Sequence, residues 1–534
     1  MTDLAGADVA DPTMVVRRIR LVRRRHFALA MAVIAATAGG ARGSGSRAVR
    51  GCESLATESF ADGSRITSAV VVPKAGPAPE YCKVTLVVPE QINVIVGLPT
   101  TTWNGRYLAF GGGGMNGTVA APLGSVIAGY AGSTTDTGHM DSPLSAEWAW
   151  SPTGLDTALI DDFAYRANHE MAVKTKALIN LFYGQPPAFS YWNGCSSGGR
   201  EGITEATRFP EDFDGIVAAS PAINWTRFVP AEMWPPLVMH ARKNYLPLCK
   251  QVAANAAVRR ACDGTADGAK DGLMDARFCR FSARKLVGLP TPCGALTKAD
   301  AAVLQQIWRG PRRANGKLLW YGLEPGTDLG TVPILTLAAT VPGDATPFAI
   351  AEQWLRFFIH EDPTWDWHGE TLDQLADDFD TSVREWRDVL ATDDPDLSAF
   401  SARGGKIIIW HGLADQLIFP RGTIHYYKRV VARNGGLRRT AEFARLFLPP
   451  NSPHCSTGRE GPYPVDPLSA VVKWREEGVA PATLDGAGTT TGNRTLTRKL
   501  CPYPQRMAYK GAGDVLAAES FTCRGPSRVM TAHP

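Results

Sequence analysis

The 534-residue sequence lacks the features that define several large protein classes. Apart from a stretch near the N-terminus, no segment approaches the 18 consecutive apolar residues that predict a membrane-spanning helix. The 53 glycines and 38 prolines follow no repeat, which excludes a collagen-like protein, and 44% hydrophobic residues exclude wholesale disorder. The formal net charge is only +4, and residues 1–40, with six arginines and three aspartates, account for most of it. Because a nucleic-acid-binding protein keeps a basic excess along its chain, no nucleic-acid partner is expected.

Zinc-binding patterns are also absent, although cysteine is not scarce. The sequence contains neither a C-x-x-C pair nor an H-x-x-x-H pair, so a zinc site is not predicted. Ten cysteines, an even number, predict five disulfides in an exported chain, and spacing alone leaves their pairing open. These cysteines are Cys52, Cys82, Cys195, Cys249, Cys262, Cys279, Cys293, Cys455, Cys501 and Cys523.

Residues 1–43 are predicted to be a cleaved signal peptide. Six arginines between Arg17 and Arg25 precede an apolar run, residues 27–38, that is too short to span a bilayer. The arginine pair before Phe27 also fits the twin-arginine pattern, so the export route stays open. The mature protein is expected to be secreted or periplasmic, without a membrane partner. The alternative is a basic tail on a cytosolic enzyme whose thiols are reduced.

The order of hydrophobic patterns predicts an α/β core with an insertion. From about Ala69, short β-branched runs alternate with helical patterns, as in an α/β sheet. Between about residues 223 and 395 this alternation is lost, and the segment holds eight of the 14 tryptophans. We therefore predict a core in two parts, 44–222 and 396–534, separated by a lid domain, 223–395.

Two glycine-containing turns follow predicted strands. Residues 189–192 form a predicted strand that leads into G-x-S-x-G, in which Ser196 is the central serine. A second predicted strand, residues 106–110, leads into four consecutive glycines whose bare N–H groups could approach a ligand. Ser196 is the predicted nucleophile, because a tight turn exposes its oxygen. The predicted oxyanion donors are the N–H groups of Ser197 and of Gly112 or Gly113.

The other two members of a catalytic triad stand at later strand ends. Asp415 lies just past the predicted strand 406–410, and His454 lies in a loop after the next strand. The order Ser, Asp, His is that of an α/β-hydrolase. Cys195 precedes the serine and Cys455 follows the histidine, so a disulfide between them would tie both catalytic segments together. The alternative is a pair of buried free thiols that never meet.

An Asp- and Gly-rich stretch inside the lid, residues 262–275, predicts a Ca²⁺ site, because this cation selects oxygen ligands. It lacks the glutamate at the twelfth position of an EF-hand loop, and a solvated acidic turn is the alternative. The ion is expected to be structural, since the loop lies in the inserted region. The predicted ligands are the carboxylates of Asp263, Asp267 and Asp271 and the carbonyls of Ala269 and Leu273.

Taken together, these features resemble the tannase and feruloyl esterase family, which includes bacterial hydrolases of mono(2-hydroxyethyl) terephthalate. The resemblance extends from about Cys52 to Cys523. It rests on W-N-G-R at 103–106, the glycine run, T-D-T-G-H at 135–139, G-C-S-S-G-G-R at 194–200, F-P-E-D-F-D-G at 209–215, the Asp-rich loop and His454-Cys455.

The resemblance implies an α/β-hydrolase that cleaves esters of aromatic acids. It implies a bridge between Cys195 and Cys455, Ca²⁺ in the lid loop, and a triad in which Asp415 orients His454. The predicted function is a secreted serine esterase acting on feruloyl, galloyl or related esters through an acyl-enzyme. Alternatives are terephthalate monoester hydrolysis, a peptidase with the same triad, and a non-catalytic, Ca²⁺-stabilised binding protein. Candidate walls of the acyl pocket are Trp354, Arg356, Phe357 and Phe358.

Overall fold

A computed structural model describes residues 47–328, 335–337, 339–456, 460–490 and 492–525. The predicted leader, residues 1–43, lies outside these ranges. None of the helices within them is both long enough and apolar enough to cross a bilayer.

The described strands fall into one large sheet and several small ones. They are β1 (Arg65–Val72), β2 (Tyr81–Val88), β3 (Ile92–Pro99), β4 (Arg106–Phe110), β5 (Ala131–Thr135), β6 (Trp150–Ser151), β7 (Gly154–Leu155), β8 (Phe189–Cys195), β9 (Gly215–Ala219), β10 (Ala339–Val341), β11 (Asp344–Thr346), β12 (Lys406–Trp410), β13 (Ala444–Phe447), β14 (Tyr463–Pro464), β15 (Leu484–Thr489), β16 (Thr495–Leu500), β17 (Arg506–Tyr509) and β18 (Phe521–Arg524). The large sheet has the order β1-β2-β3-β5-β4-β8-β9-β12-β13. The predicted strands 106–110 and 406–410 are confirmed to the residue.

The large sheet changes from antiparallel to parallel along its width. β1, β2, β3 and β5 pair antiparallel, whereas every pair from β5 through β4 to β13 is parallel. All five residues of β9 are buried, as are the last four of β12, because helices cover both faces of the parallel half. Since parallel strands end at the same edge, the segments that follow β4, β8, β12 and β13 gather there.

The helices are α1 (Leu123–Ile127), α2 (Thr157–Asp161), α3 (Ala167–Tyr183), α4 (Ser197–Arg208), α5 (Trp225–Glu232), α6 (Trp234–Ala241), α7 (Leu248–Cys262), α8 (Lys298–Arg309), α9 (Ala349–Gln353), α10 (Leu372–Leu390), α11 (Ser398–Ala402), α12 (Pro420–Arg433), α13 (Leu437–Thr440) and α14 (Pro467–Glu477). Two π-helical segments, Asp162–Arg166 and Trp354–Ile359, continue α2 and α9. Helix α10 begins with a capping box in which Thr371 and Gln374 satisfy each other's backbone N–H groups.

The predicted lid segment, residues 223–395, contributes to a cluster of buried apolar side chains that is distinct from those on the two faces of the large sheet. This cluster joins buried side chains of residues 222–419 to those of residues 146–164, which precede the predicted insertion. The two faces of the large sheet carry their own clusters of buried residues. Residues 146–164 therefore pack against the predicted lid segment, although the sequence pattern assigned them to the first part of the core.

Five disulfides use all ten cysteines, which confirms the predicted number. The pairs are Cys52–Cys82, Cys195–Cys455, Cys249–Cys293, Cys262–Cys279 and Cys501–Cys523.

Candidate active site

Ser196 occupies a sharp turn between β8 and α4. Its φ of 63° and ψ of −123° are rare for a residue with a side chain, and two backbone hydrogen bonds hold them. The Ser196 N–H donates to the Ala219 carbonyl at 3.0 Å, and the Ala222 N–H donates to the Ser196 carbonyl at 3.0 Å. The end of β9 therefore fixes the turn that carries the predicted nucleophile.

The two glycines of G-x-S-x-G are needed because the backbone passes too closely for a Cβ atom. A Cβ on Gly194 would lie 2.3 Å from the Gly198 carbonyl oxygen, and one on Gly198 would lie 2.9 Å from the Gly112 carbonyl oxygen. Any side chain at either position would push the turn away from its neighbours.

Asp415 and His454 form a buried hydrogen-bonded pair. The His454 Nδ1 lies 2.8 Å from Asp415 Oδ2, and the aspartate side chain is inaccessible to solvent. Because Nδ1 faces a carboxylate, it carries the proton, which leaves Nε2 free to accept one. The N–H groups of Leu417 and Ile418 donate to Asp415 Oδ1 at 2.9 and 2.8 Å and fix the carboxylate plane.

A second histidine also faces the Asp415 carboxylate. The His411 Nε2 lies 3.1 Å from Asp415 Oδ2, and its Nδ1 lies 2.8 Å from Thr423 Oγ1. Burial alone would raise the pKa of Asp415, but His454 and His411 outweigh it and hold that pKa well below its usual range. The two histidines therefore favour the ionised form of the Asp415 carboxylate.

The Cys195–Cys455 disulfide joins the serine turn to the histidine loop. Their Cα atoms are 6.0 Å apart, and the bridge closes 260 residues of chain. Among the described residues, no hydrogen bond joins Ser196 Oγ to His454. Catalytic hydrogen bonds of this kind often form only with substrate bound.

The glycine run after β4 lies against the start of α4. The Gly112 N–H donates to Glu201 Oε2 at 3.0 Å, so Gly112 is not available as an oxyanion donor. Within the described residues, the N–H groups of Gly113 and Ser197 donate to no protein acceptor. The hydrogen bond of Gly112 favours Gly113 as the donor, and the oxyanion role of either glycine stays a prediction. Ser197 is the first residue of α4, where backbone N–H groups are unsatisfied.

The T-D-T-G-H motif supports the loop that follows the glycine run. The His139 Nε2 donates to the Met115 carbonyl at 3.0 Å, and its ring stacks on Trp148 at 4.3 Å. Burial lowers the pKa of His139 to about 4, so the ring is neutral at neutral pH. A Cβ on Gly117 would lie 2.8 Å from this ring, which explains the glycine there.

The lid reaches the glycine run through α9. A Cβ on Gly114 would lie 3.4 Å from Ile350 Cδ1, which places this helix beside the predicted oxyanion site. The four candidate pocket residues continue from α9. Trp354 is inaccessible and stacks on Phe358 at 4.5 Å, with Trp386 at 6.2 Å.

The remaining two candidates also have partners within the protein. Phe357 is buried beside Trp150 at 6.1 Å, and the Arg356 guanidinium forms an ion pair with Glu352. The structure thus gives these side chains packing roles, and their contact with substrate stays a prediction.

The Asp-rich loop, closed by the Cys262–Cys279 disulfide, fits a cation in part. Burial raises the pKa of Asp271 to about 6 and also raises that of Asp267. The carbonyls of Ala269 and Leu273 accept no hydrogen bond from the described residues, although both residues are buried. These four groups are the oxygen donors that Ca²⁺ prefers.

Asp263 differs from the other two loop aspartates, and its role as a ligand stays a prediction. Its Oδ1 accepts the N–H groups of Asp271 and Gly272, each at 3.2 Å. In the part of the chain that the structure describes, the group of three or more acidic, histidine or cysteine side chains close enough together to hold a metal ion is His360, Glu370 and Asp378, whose ligand atoms lie within 4.8 Å of one another. The three loop carboxylates therefore do not converge on one point, and Asp271 also pairs with the buried Arg498.

Several residues of the site were not predicted from the sequence. Glu201 accepts hydrogen bonds from the Gly112 N–H and from the Asn116 side chain, and His411 contacts the carboxylate of Asp415. Glu232 on α5 is 1% exposed, and burial together with the nearby Asp415 raises its pKa well above the usual range. Glu201 follows Ser196 by five residues on the helix that begins there, but this position alone does not predict its partner.

Comparisons with known proteins identify relatives that cover most of the chain. The family model described as tannase and feruloyl esterase matches residues 82–524. A probable feruloyl esterase from Arthroderma benhamiae is 38% identical over 450 residues, which cover 81% of this chain and 83% of that protein.

Two solved structures are similar over most of their length. Feruloyl esterase B from Aspergillus oryzae gives a TM-score of 0.77 at 27% identity, covering 89% of this chain and 99% of that one. The tannin acyl hydrolase from Aspergillus niger gives a TM-score of 0.78 at 25% identity, covering 88% and 93%. The predicted α/β-hydrolase fold is confirmed by these similarities.

Proposed function

The chain belongs to the tannase and feruloyl esterase family and is a carboxylic ester hydrolase, and on that premise we propose that it cleaves esters of aromatic acids through an acyl-enzyme on Ser196. The observation that carries the proposal is the Asp415–His454 pair, which is tied by the Cys195–Cys455 bridge to a serine held at positive φ. Relatives named feruloyl esterase and tannin acyl hydrolase support an aromatic acyl group.

Acylation begins with attack of Ser196 Oγ on the ester carbonyl carbon. The His454 Nε2 accepts the serine proton, and Asp415 stabilises the imidazolium through the Nδ1 proton. The carbonyl oxygen becomes an oxyanion that accepts hydrogen bonds from the N–H groups of Ser197 and Gly113. Collapse of this intermediate breaks the bond to the alkoxy oxygen, and His454 returns the proton to it so that the alcohol leaves.

Deacylation repeats these steps with water. His454 removes a proton from water as its oxygen attacks the acyl carbon, and the same N–H groups stabilise the second oxyanion. Ser196 leaves with the proton from His454, and the aromatic acid is released. Metal is not required for either step, so a cation in the lid loop would act on stability.

We also propose that the Asp-rich loop binds Ca²⁺ through Asp267 and Asp271 and the carbonyls of Ala269 and Leu273. The ion would bind between the buried carboxylates of Asp267 and Asp271, the second of which also pairs with Arg498, and would hold the Asp-rich loop closed. This proposal omits Asp263, whose carboxylate caps the loop backbone instead.

We propose in addition that the enzyme works outside the reducing cytosol. Its five disulfides support this location, since such bonds persist in oxidising compartments. Intact mass of the exported protein would show ten oxidised cysteines and loss of the predicted leader, whereas a full-length reduced protein would contradict export.

The experiment that tests the proposed function compares Ser196→Ala with wild type on three esters, methyl ferulate, methyl gallate and mono(2-hydroxyethyl) terephthalate. We expect kcat/KM for the preferred ester to fall by about 10⁴-fold or more. The matched control is Ser220→Ala, which removes a buried hydroxyl just past β9 that has no hydrogen-bond partner among the described residues. Undiminished hydrolysis by Ser196→Ala would reject the proposal, and the preferred ester identifies the substrate class.

A further inference from the structure

Glu201 is a buried carboxylate that the chemistry above does not use. It lies on α4 five residues after Ser196 and has no solvent exposure. Its Oε2 accepts the N–H of Gly112 at 3.0 Å, and its Oε1 accepts the side-chain amide of Asn116. Both partners belong to the loop that follows β4, residues 111–116, here called the oxyanion loop. One carboxylate on α4 therefore binds this loop at two points.

The neighbouring Arg200 does not neutralise Glu201 through a hydrogen bond. Its guanidinium donates to the carbonyls of Phe163 and Ala164 at 2.8 and 3.0 Å. The guanidinium also lies 4.5 Å from the Phe163 ring, on the side of the lid core. Two of the hydrogen bonds of the Glu201 carboxylate, those from Gly112 and Asn116, are therefore made to the oxyanion loop, and the side chain of Asn168 also interacts with this carboxylate.

The loop and the helix also meet directly through backbone. The Gly198 N–H donates to the Gly112 carbonyl at 2.9 Å, and a Cβ on Gly111 would lie 2.5 Å from the Gly198 Cα. Gly112 is therefore held from both sides, by Glu201 at its N–H and by Gly198 at its carbonyl. The peptide that follows carries the N–H of Gly113, whose direction depends on how Gly112 is held.

We propose that Glu201 is a positioning residue that, together with Asn116, sets the place of the Gly113 N–H relative to Ser196. The Glu201 carboxylate accepts the N–H of Gly112, the residue before Gly113. It therefore fixes the distance between Ser196 and the Gly113 N–H. Glu201 does not touch substrate, and it acts on the transition state through Gly113. This inference rests on the proposed function, because it assumes that Gly113 stabilises the oxyanion.

Exchange of the two side-chain types tests the proposal. In Glu201→Gln, the new amide group must point its NH₂ at one of two existing donors, Gly112 N–H or the Asn116 amide. In Asn116→Asp, two carboxylates face each other. The double variant Asn116→Asp/Glu201→Gln restores both hydrogen bonds with the acid and the amide exchanged.

We expect kcat for methyl ferulate to fall about 10- to 100-fold in each single variant, with KM within about threefold, because misplacement of an oxyanion donor affects mainly the transition state. Affinity for a trifluoromethyl ketone analogue of the ester, which forms an oxyanion at the same place, should fall with kcat. The double variant should recover kcat to within about fivefold of wild type.

The matched control is Glu205→Gln, one turn further along α4. Glu205 is also buried, but its carboxyl group interacts with Asp212 rather than with the glycine run. Its kcat should stay at the wild-type value. Thermal unfolding of every variant distinguishes a misplaced oxyanion donor from a loss of the folded structure. If a single variant does not fold, the kcat of the folded double variant relative to wild type tests the proposal.

A folded Glu201→Gln enzyme with wild-type kcat, or a folded double variant no faster than the slower single variant, would overturn the proposal. Failure of the proposed function gives a different result, since the wild-type enzyme would then hydrolyse no ester in a Ser196-dependent manner. The two failures are therefore distinguishable in one set of assays.

Discussion

The edge of the sheet at which Ser196, Asp415 and His454 lie and the predicted lid segment, residues 223–395, are held by different interactions. At the sheet edge, backbone hydrogen bonds and close glycine contacts fix Ser196, and a disulfide links its turn to that of His454. In the lid, Trp354 is surrounded by aromatic rings, and stability comes from packing of side chains far apart in sequence. A small displacement at the sheet edge should therefore abolish chemistry, whereas a change in the lid should mainly lower stability.

Removal of the charge on Asp415 should give the largest difference in kcat between a change at the sheet edge and a change in the lid. We expect Asp415→Asn to lower kcat by about 10⁴-fold, because the amide stabilises the wrong tautomer of His454. Steady-state kinetics on the preferred ester measure the loss. A loss below tenfold in a folded variant would show that Asp415 does not orient the base.

The same variant has a pH-dependent effect on stability. Since His454 and His411 hold the pKa of Asp415 below its usual value of about 3.9, its contribution to stability is complete above that pH and is lost on further acidification. The difference in free energy of unfolding between wild type and Asp415→Asn should therefore shrink as pH falls from 6 to 3. A difference that grows on acidification would contradict the assigned direction.

Removal of one disulfide from each region sharpens the comparison. In the chain-entropy model, loss of Cys195–Cys455 costs about 5 kcal/mol and loss of the lid bridge Cys249–Cys293 costs about 4 kcal/mol. Paired Cys→Ala changes should thus have similar effects on denaturant unfolding. Only the first pair should lower kcat, by about tenfold or more, because it holds the nucleophile near the base. Equal effects on kcat would contradict a positional role for the catalytic bridge.

Truncation of Trp354 tests the lid by itself. This side chain is inaccessible, and Trp354→Ala should lower the free energy of unfolding by about 3–5 kcal/mol. For a small methyl ester we expect kcat to change by less than tenfold, because Ser196, Asp415 and His454 follow strands of the large sheet and not the lid helices. Trp354→Phe, which keeps an aromatic ring, should retain most of the stability. A folded Trp354→Ala variant as slow as Asp415→Asn would place this residue in the chemistry.

Chelation of Ca²⁺ should have the smallest effect. Treatment with EDTA should lower Tm by about 5 °C, Ca²⁺ should restore it, and kcat well below Tm should change little. Asp267→Asn should lose this response, whereas Asp263→Asn and His360→Ala should keep it. A response that depends on His360 instead would assign the stabilising ion to the cluster of His360, Glu370 and Asp378.

The parts of the molecule that the sequence predicted are those determined locally. The strands before the glycine run and before Asp415 are short apolar segments ending at Gly or polar residues, and both have the predicted bounds. Ser196 could be identified because its turn needs glycines at fixed positions. Asp415 and His454 could be identified because each follows a predicted strand, and the structure brings them to 2.8 Å.

What the sequence did not predict depends on contacts between distant segments. The hydrogen bond between Glu201 and Gly112 joins positions 89 residues apart, so no local sequence pattern predicts it. The choice of Gly113 over Gly112 follows from that same hydrogen bond. Residues 146–164 join the lid through side-chain packing, although their sequence continues the first part of the core. For Asp263, proximity in sequence predicted a ligand, and what no local pattern indicated is that its Oδ1 accepts two backbone N–H groups of the same loop.

Hydrolysis is proposed to pass through an ester on Ser196. Acid-quenched mass spectrometry during turnover of p-nitrophenyl ferulate, followed by digestion, detects that ester itself. We expect a feruloyl adduct on the peptide that contains Ser196, formed in a burst with p-nitrophenol and absent from Ser196→Ala. Ferulate release without an adduct on this serine, or an adduct on another residue, would contradict this proposal.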